Sequence, residues 1–249
     1  MDDALPQLIQ TLHKPQTVEE AFNLFCSHLQ TAGYDETLFT FLPESYQALK
    51  LPFDVACKYQ STRHSPLIQR LTKPGYLLSA PLLCPENTGD RLVDWFNPPE
   101  SLRALLSEKE QIMIMESVNK HGLRQLLTLT VPLHHRGKSI FCFSSQQAAR
   151  PDTLTQLHEL AKNFHVIITS KREFSRFVNA PIIAGHTIKE RRLLKFLMQG
   201  APIKAIPKES EIGQFYGEKL VKIVRAKWGN ANKTQLVYHV AAMGLDKDL

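Results

Sequence analysis

Lys219, Lys222 and Arg225 recur every third residue. On a helix that spacing runs them down nearly one stripe, where cations can neutralise the phosphates of a polyanion. Lys227 follows them, and Lys204 and Lys208 precede them. The whole segment is basic: residues 181–249 hold 12 Lys+Arg against 6 Asp+Glu, which leaves 18 of each sign in residues 1–180. The net charge of +6 therefore sits entirely in the C-terminal part of the chain. A neutral body with a basic tail suggests contact with nucleic acid or another polyanion. A solvated surface is the competing reading of a charge this small.

Other reactive residue types form no constellation. Cys26, Cys57, Cys84 and Cys142 include no C-x-x-C pair, which argues against a zinc ribbon or thioredoxin-type site and for reduced, buried thiols. His134 and His135 adjoin, so on a strand they point to opposite faces and cannot share a metal. Gly137-Lys138-Ser139 has the ending of a P-loop, but position 132, where that loop needs glycine, is Pro. There is no G-x-S-x-G, H-E-x-x-H or G-x-G-x-x-G. His121, His158 and His165 read as helix-surface or hydrogen-bonded, partly buried side chains. No catalytic groups converge, so the chain reads as a non-enzyme without metal or cofactor.

The elements that position the cations follow from periodicity. At 249 residues, 43% hydrophobic and 22% charged, the composition is globular. No apolar run approaches the roughly 18 residues of a membrane span. The start, Met1-Asp2-Asp3-Ala4, is no secretory signal, and a cytoplasmic location is expected. Thr17-x-x-Glu20 has capping-box spacing and precedes Ala21, Phe22, Phe25, Cys26 and Leu29 at helical intervals. Thr37–Leu42 reads as a strand, residues 53–72 as helical, residues 73–99 as loop with short strands, and residues 100–121 as helix. Leu126–Pro132 and Ser139–Ser144 read as a hairpin, and residues 152–172 as a long helix. That order implies an α+β domain, an antiparallel sheet with helices packed on it. Residues 173–186 lack strong periodicity and read as a linker. Beyond them, Thr187-x-x-Glu190 opens an all-helical segment, with helices through 212–228 and up to Gly244, capped by Asn230 or Asn232. Several short helices in about 60 basic residues is the economy of a helix-turn-helix module.

In that tail, Thr187-x-x-Glu190-Arg-Arg-Leu-Leu194, Gly200, Ile206, Ile212, Lys227-Trp-Gly229, Asn232-Lys-Thr-Gln235 and Gly244-Leu245 resemble the helix-turn-helix of LuxR-type transcription regulators. Lys120-His-Gly-Leu-Arg-Gln125, followed by Thr130-Val-Pro-Leu-His134 and a glycine, resembles the central hairpin of that family's autoinducer-binding domain. Pro52 and Tyr59 fit its P-x(6)-Y spacing, and Ser65-Pro66 stands where the family has Asp-Pro. The resemblance covers nearly the whole chain. It implies an α/β/α sandwich sensor domain over residues 1–172, a linker over 173–186, a helix-turn-helix domain over 187–249, homodimerisation, and quorum-sensing regulation of transcription on double-stranded DNA. DNA contacts would come from Lys204, Lys208, Gln214, Lys219, Lys222, Arg225 and Lys227. Base readout would fall to Gln214, Lys219 or Tyr216.

The resemblance also maps a pocket onto Val55, Tyr59, Ser65, Ala80, Trp95 and Cys142. Tyr59 keeps the family's tyrosine. Ser65 takes the place of an aspartate, Val55 that of the lactone-contacting tryptophan, and Ala80 that of an aromatic. A serine makes no charge-assisted bond to an amide, and a valine offers no N–H to a lactone carbonyl. The implied ligand is therefore a small apolar molecule other than the usual acyl-homoserine lactone, or none. Trp95 reads either as a substitute aromatic or as core, and Cys142 as core at a family serine. In the tail, Pro207, Gly217 and Glu218 depart from the pattern: Pro bends a helix, Gly lowers its stability by roughly 1 kcal/mol, and Glu repels phosphate. The alternative they motivate is a family member that no longer reads DNA and serves as a protein-interaction or dimerisation module.

Overall fold

A computed structural model describes residues 9–49, 51–52, 55–61, 90, 92–133, 136–148, 151–200, 202, 212, 214–245 and 248–249. After a short helical stretch at residues 9–12 comes α1, Val18–Thr31. Its capping box forms as the spacing predicts: Thr17 Oγ1 accepts from the Glu20 N–H at 3.1 Å, and Glu20 accepts from the Thr17 N–H at 3.3 Å. Its apolar face, from Val18 through Leu29, is buried.

The strands β1 (Glu36–Pro43), β2 (Cys57–Ser61), β3 (Leu92–Asp94), β4 (Gln125–Leu133) and β5 (Gly137–Ser145) make one sheet in the order β2-β1-β5-β4-β3. β1 and β2 pair antiparallel with Glu36 opposite Ser61 and Leu38 opposite Tyr59. β3 and β4 pair antiparallel with Leu92 opposite Leu129. Between β1 and β2 lies α2 (Glu44–Leu49). Between β3 and β4 lie α3 (Glu100–Arg103) and α4 (Glu108–His121). α5 (Pro151–Ser170) follows the hairpin of β4 and β5.

Alternation along the strands sorts their side chains to two faces. On one face Phe39, Phe141 and Phe143 meet Phe25 of α1 and Phe164 of α5. Phe25 stacks on Phe164 at a 4.4 Å ring separation, and Phe39 meets Phe164 edge-on at 5.4 Å. Such pairs add about 0.5–1.5 kcal/mol each beyond their area burial. The opposite face carries Leu38, Ile140 and Cys142, which are buried as well. The fold is mixed α and β on an antiparallel sheet, as the sequence implies.

Three expectations shift. Within the segment read as helix, residues 57–61 are instead β2, because β1 offers a pairing edge; residues 62–72 lie outside the described residues. The helix read over residues 100–121 breaks after Arg103, and Ser107 restarts it with its own cap: Glu110 Oε2 accepts from the Ser107 N–H at 2.8 Å and the Ser107 O–H at 2.7 Å. The stretch read as a linker is helical, α6 (Phe174–Ala184), with Pro181 inside it.

The chain divides into two compact units. The larger holds most of the sheet with α1, α3, α4 and α5; the smaller is formed by Leu42–Ala56, His134–Gly137 and Ser175–Leu249. In the smaller unit α7 (Ile188–Met198) packs on α8 (Gln214–Lys227) and α9 (Lys233–Ala242). Leu193, Leu194, Leu197, Leu220, Val224, Trp228, Leu236 and Val240 are its buried apolar residues. Thr187 with Glu190, and Asn232 with Gln235, both form capping boxes. Among the described residues no helix is long and apolar enough to cross a membrane.

Candidate functional site

α8 carries the cationic stripe. Its Leu220 and Val224 face inward, while Glu218, Lys219, Lys222 and Ile223 are exposed. Tyr216, 43% exposed, lies beneath Lys189 of α7, whose Nζ sits 5.6 Å from the ring centroid. α7 adds Arg192 and Lys195 to the exposed cations. Gln214 is the first residue of α8. Lys204, Lys208 and Pro207 lie outside the described residues.

The other two predicted cations are engaged inside the unit. Arg225 is half-buried and its Nε–H donates to the Ala231 carbonyl at 2.7 Å, holding the turn between α8 and α9. Lys227 Nζ donates to the Gly185 carbonyl and to Glu190 Oε2, both at 2.8 Å. Burial pushes the pKa of the Glu190 carboxyl up, but the bonds from Lys227 and the Thr187 N–H outweigh it and hold it below the usual carboxylate range. Spacing alone does not separate these two cations from Lys219 and Lys222; their partners lie outside α8, in the turn after it and in the α6–α7 region. Arg225→Ala is expected to destabilise the smaller unit by about 1–3 kcal/mol, since it leaves the buried Ala231 carbonyl without that donor. Urea denaturation followed by circular dichroism checks it.

His186, which sequence reasoning missed, ties α6 to α8. Its Nδ1–H donates to the Ile182 carbonyl at 2.7 Å, and its Nε2 accepts from the Trp228 indole N–H at 3.1 Å. Both bonds suit the neutral ring, and burial keeps its pKa below the ordinary histidine value.

The predicted pocket residues are partly placed. Tyr59 lies opposite Leu38 and Cys142 alternates with Phe141 and Phe143, so both belong to the sheet face away from α1 and α5. Tyr59 is 36% exposed and Cys142 is fully buried. Burial, reinforced by the Glu36 carboxylate, raises the Cys142 thiol well above its ordinary pKa, so it is an inert thiol. Trp95 is buried, and its indole N–H donates to Thr128 Oγ1 at 2.8 Å. Val55 is half-buried. Ser65 and Ala80 lie outside the described residues. The sequence reading missed Glu36, a buried carboxylate on the Cys142 face that accepts from the Ser144 hydroxyl at 2.6 Å.

A buried Ser139–His165 pair, 2.8 Å between Oγ and Nδ1, has the composition of a nucleophile and base. Ser139 is fully buried and His165 is 4% exposed, so no substrate reaches it, and it reads as a core hydrogen bond. His158 bonds to Asp90 at 3.1 Å on the surface. No metal-ligating cluster occurs among the described residues.

No protein-family model matches this chain, and no curated protein is significantly similar to it in sequence. Solved structures are similar. A crystal structure of Escherichia coli SdiA, a LuxR-type quorum-sensing regulator, superposes with a TM-score of 0.52 at 18% identity, covering 97% of each chain. SdiA in complex with octanoyl-rac-glycerol superposes equally, covering 97% of this chain and 95% of the other. The chain thus shares the fold of SdiA over nearly its whole length.

Proposed function

We propose that the chain is a DNA-binding transcription regulator of the LuxR type. Residues 1–172 form its sensor domain, 173–186 the connection and 187–249 the DNA-binding module. The protein acts as a cytoplasmic homodimer, and its sensor takes a small apolar ligand other than the usual acyl-homoserine lactone, or none. The observation that carries the reading is the exposure of Lys219 and Lys222 on α8, in the segment holding the family's motif set. The likeness to SdiA over the chain's length supports it. The octanoyl-glycerol bound by SdiA suggests an acyl chain as the ligand class to try first.

The test is fluorescence-anisotropy titration of mixed-sequence duplex DNA across a salt series. A steep fall of log K with log salt is expected. Lys219→Ala with Lys222→Ala should weaken binding on every sequence and flatten the slope by about 2, one phosphate per lysine. An unchanged slope removes α8 from the phosphates. The exposed Glu218 beside Lys219 favours the second reading, an interaction or dimerisation module. Absence of binding even at low salt would select it.

A further inference from the structure

The smaller unit holds an open cavity of about 480 Å³, lined by residues of α6, α7 and the C-terminal segment. α6 supplies Arg176, Ala180, Ile183 and Ala184, whose spacing puts them on one helix face. Arg191 of α7 and Asp248 add the remaining charges, and His186 lines the cavity from the turn between α6 and α7. All of these residues lie within Ser175–Leu249, whereas Tyr59, Trp95 and Cys142 belong to the larger unit.

Most of the polar groups there are already engaged. The Asp248 Oδ2 accepts from Asn179 Nδ2 at 3.0 Å, and its Oδ1 lies 3.8 Å from the Arg176 Nε. Both ring nitrogens of His186 are hydrogen-bonded, one to the Ile182 carbonyl and one to the Trp228 indole. Lys227 and Glu190, two further charges that act on His186, pair with each other at 2.8 Å. Arg191 differs. It is half-buried, and among the described residues its guanidinium has no hydrogen bond or ion pair. A guanidinium so placed gives up water without gaining an acceptor. Two arginines against one carboxylate also leave the cavity one positive charge in excess.

We infer that this cavity binds a small organic monoanion, a carboxylate on a compact apolar body. Arg191 holds the carboxylate, since its planar fork of donors matches two carboxylate oxygens. Ala180, Ile183 and Ala184 receive the body: they are apolar, and the two alanines leave the space that a longer side chain would fill. The single excess charge matches a carboxylate better than a phosphate dianion. The volume falls within the roughly 300–1,000 Å³ of small-molecule sites.

The experiment uses the full chain and benzoate as the probe, with neutral benzamide of the same shape beside it. Affinity is read by ligand-observed NMR titration, and location by amide hydrogen exchange. Benzoate is expected to bind with a Kd of about 1 mM or tighter and to slow exchange within residues 176–191. Benzamide should bind about tenfold more weakly or worse, having lost the charge-assisted bonds. Arg191→Gln should weaken benzoate by a similar factor. Ala180→Leu, at an exposed position of α6, fills the space for the body, keeps a good helix former and should also weaken benzoate about tenfold or more. Should one variant not fold, the other decides. The site is overturned if benzamide binds as benzoate does, if a folded variant binds benzoate as the wild type does, or if benzoate leaves exchange within 176–191 unchanged. Slowed exchange there with inorganic phosphate or duplex DNA, and none with benzoate, overturns it too and assigns the cavity to a phosphate.

Discussion

Trp228→Ala is expected to remove about 3–5 kcal/mol from the smaller unit. The side chain is fully buried at the end of α8. Its indole N–H donates to His186 Nε2, and its backbone N–H closes the helix onto the Val224 and Arg225 carbonyls at 3.1 and 3.0 Å. Truncation leaves a large cavity and a buried imidazole nitrogen without its donor. Either loss is serious, and a native stability of about 5–15 kcal/mol has little room for both. Trp228→Phe separates them: it keeps an aromatic ring, loses the N–H, and should cost about 1–3 kcal/mol. Urea denaturation followed by circular dichroism measures both. If Trp228→Ala unfolds within about 1 kcal/mol of the wild type, Trp228 is not the keystone of this unit.

The same residue marks where the sequence was readable. The helix-ending Lys227-Trp-Gly229 could be read because its cause is local: an apolar stripe ends and a glycine turns the chain. The capping boxes at Thr17 and Thr187 both formed, since each needs only a four-residue spacing, and of the two asparagines read as the cap of the last helix, Asn232 is the one that caps it. The partner of the Trp228 indole could not be read, because His186 stands 42 residues away.

The misplaced elements share that cause. Cys57-Lys-Tyr-Gln-Ser61 alternates over only five residues, and pairing with β1 makes it a strand. α6 contains Pro181, a residue that costs a helix interior roughly 3 kcal/mol. Asn179, fully buried, donates its Nδ2 hydrogens to the Met243 carbonyl at 3.2 Å and to Asp248 Oδ2 at 3.0 Å. Those bonds help hold the helix from positions 64 and 69 residues away. At the candidate site, the lysine stripe could be seen in the spacing. Its division into exposed Lys219 and Lys222 and engaged Arg225 and Lys227 could not, because the Arg225 acceptor, the Ala231 carbonyl, is set by how the turn after α8 folds and the Lys227 acceptors, Gly185 and Glu190, come from the α6–α7 region.

Acidification should destabilise the larger unit through His165. Burial lowers its pKa from 6.5 to about 4, so the unfolded chain binds this proton over a range where the folded chain does not. Stability from this group is complete above pH 6.5, falls as pH drops, and is exhausted near pH 4. The two values correspond to a loss of about 3 kcal/mol. The neutral ring suits its place: it lies 4% exposed, hydrogen-bonded to the fully buried Ser139 hydroxyl. His158 lies one helical stretch earlier on α5, bonded to the Asp90 carboxylate at 3.1 Å and more open to water. His165→Gln removes the titrating group while keeping a polar side chain for Ser139. That variant should start less stable at pH 7 and lose less between pH 6.5 and 4. Urea titrations at half-unit pH steps test it, and equal slopes for wild type and His165→Gln would show that the acid sensitivity arises elsewhere.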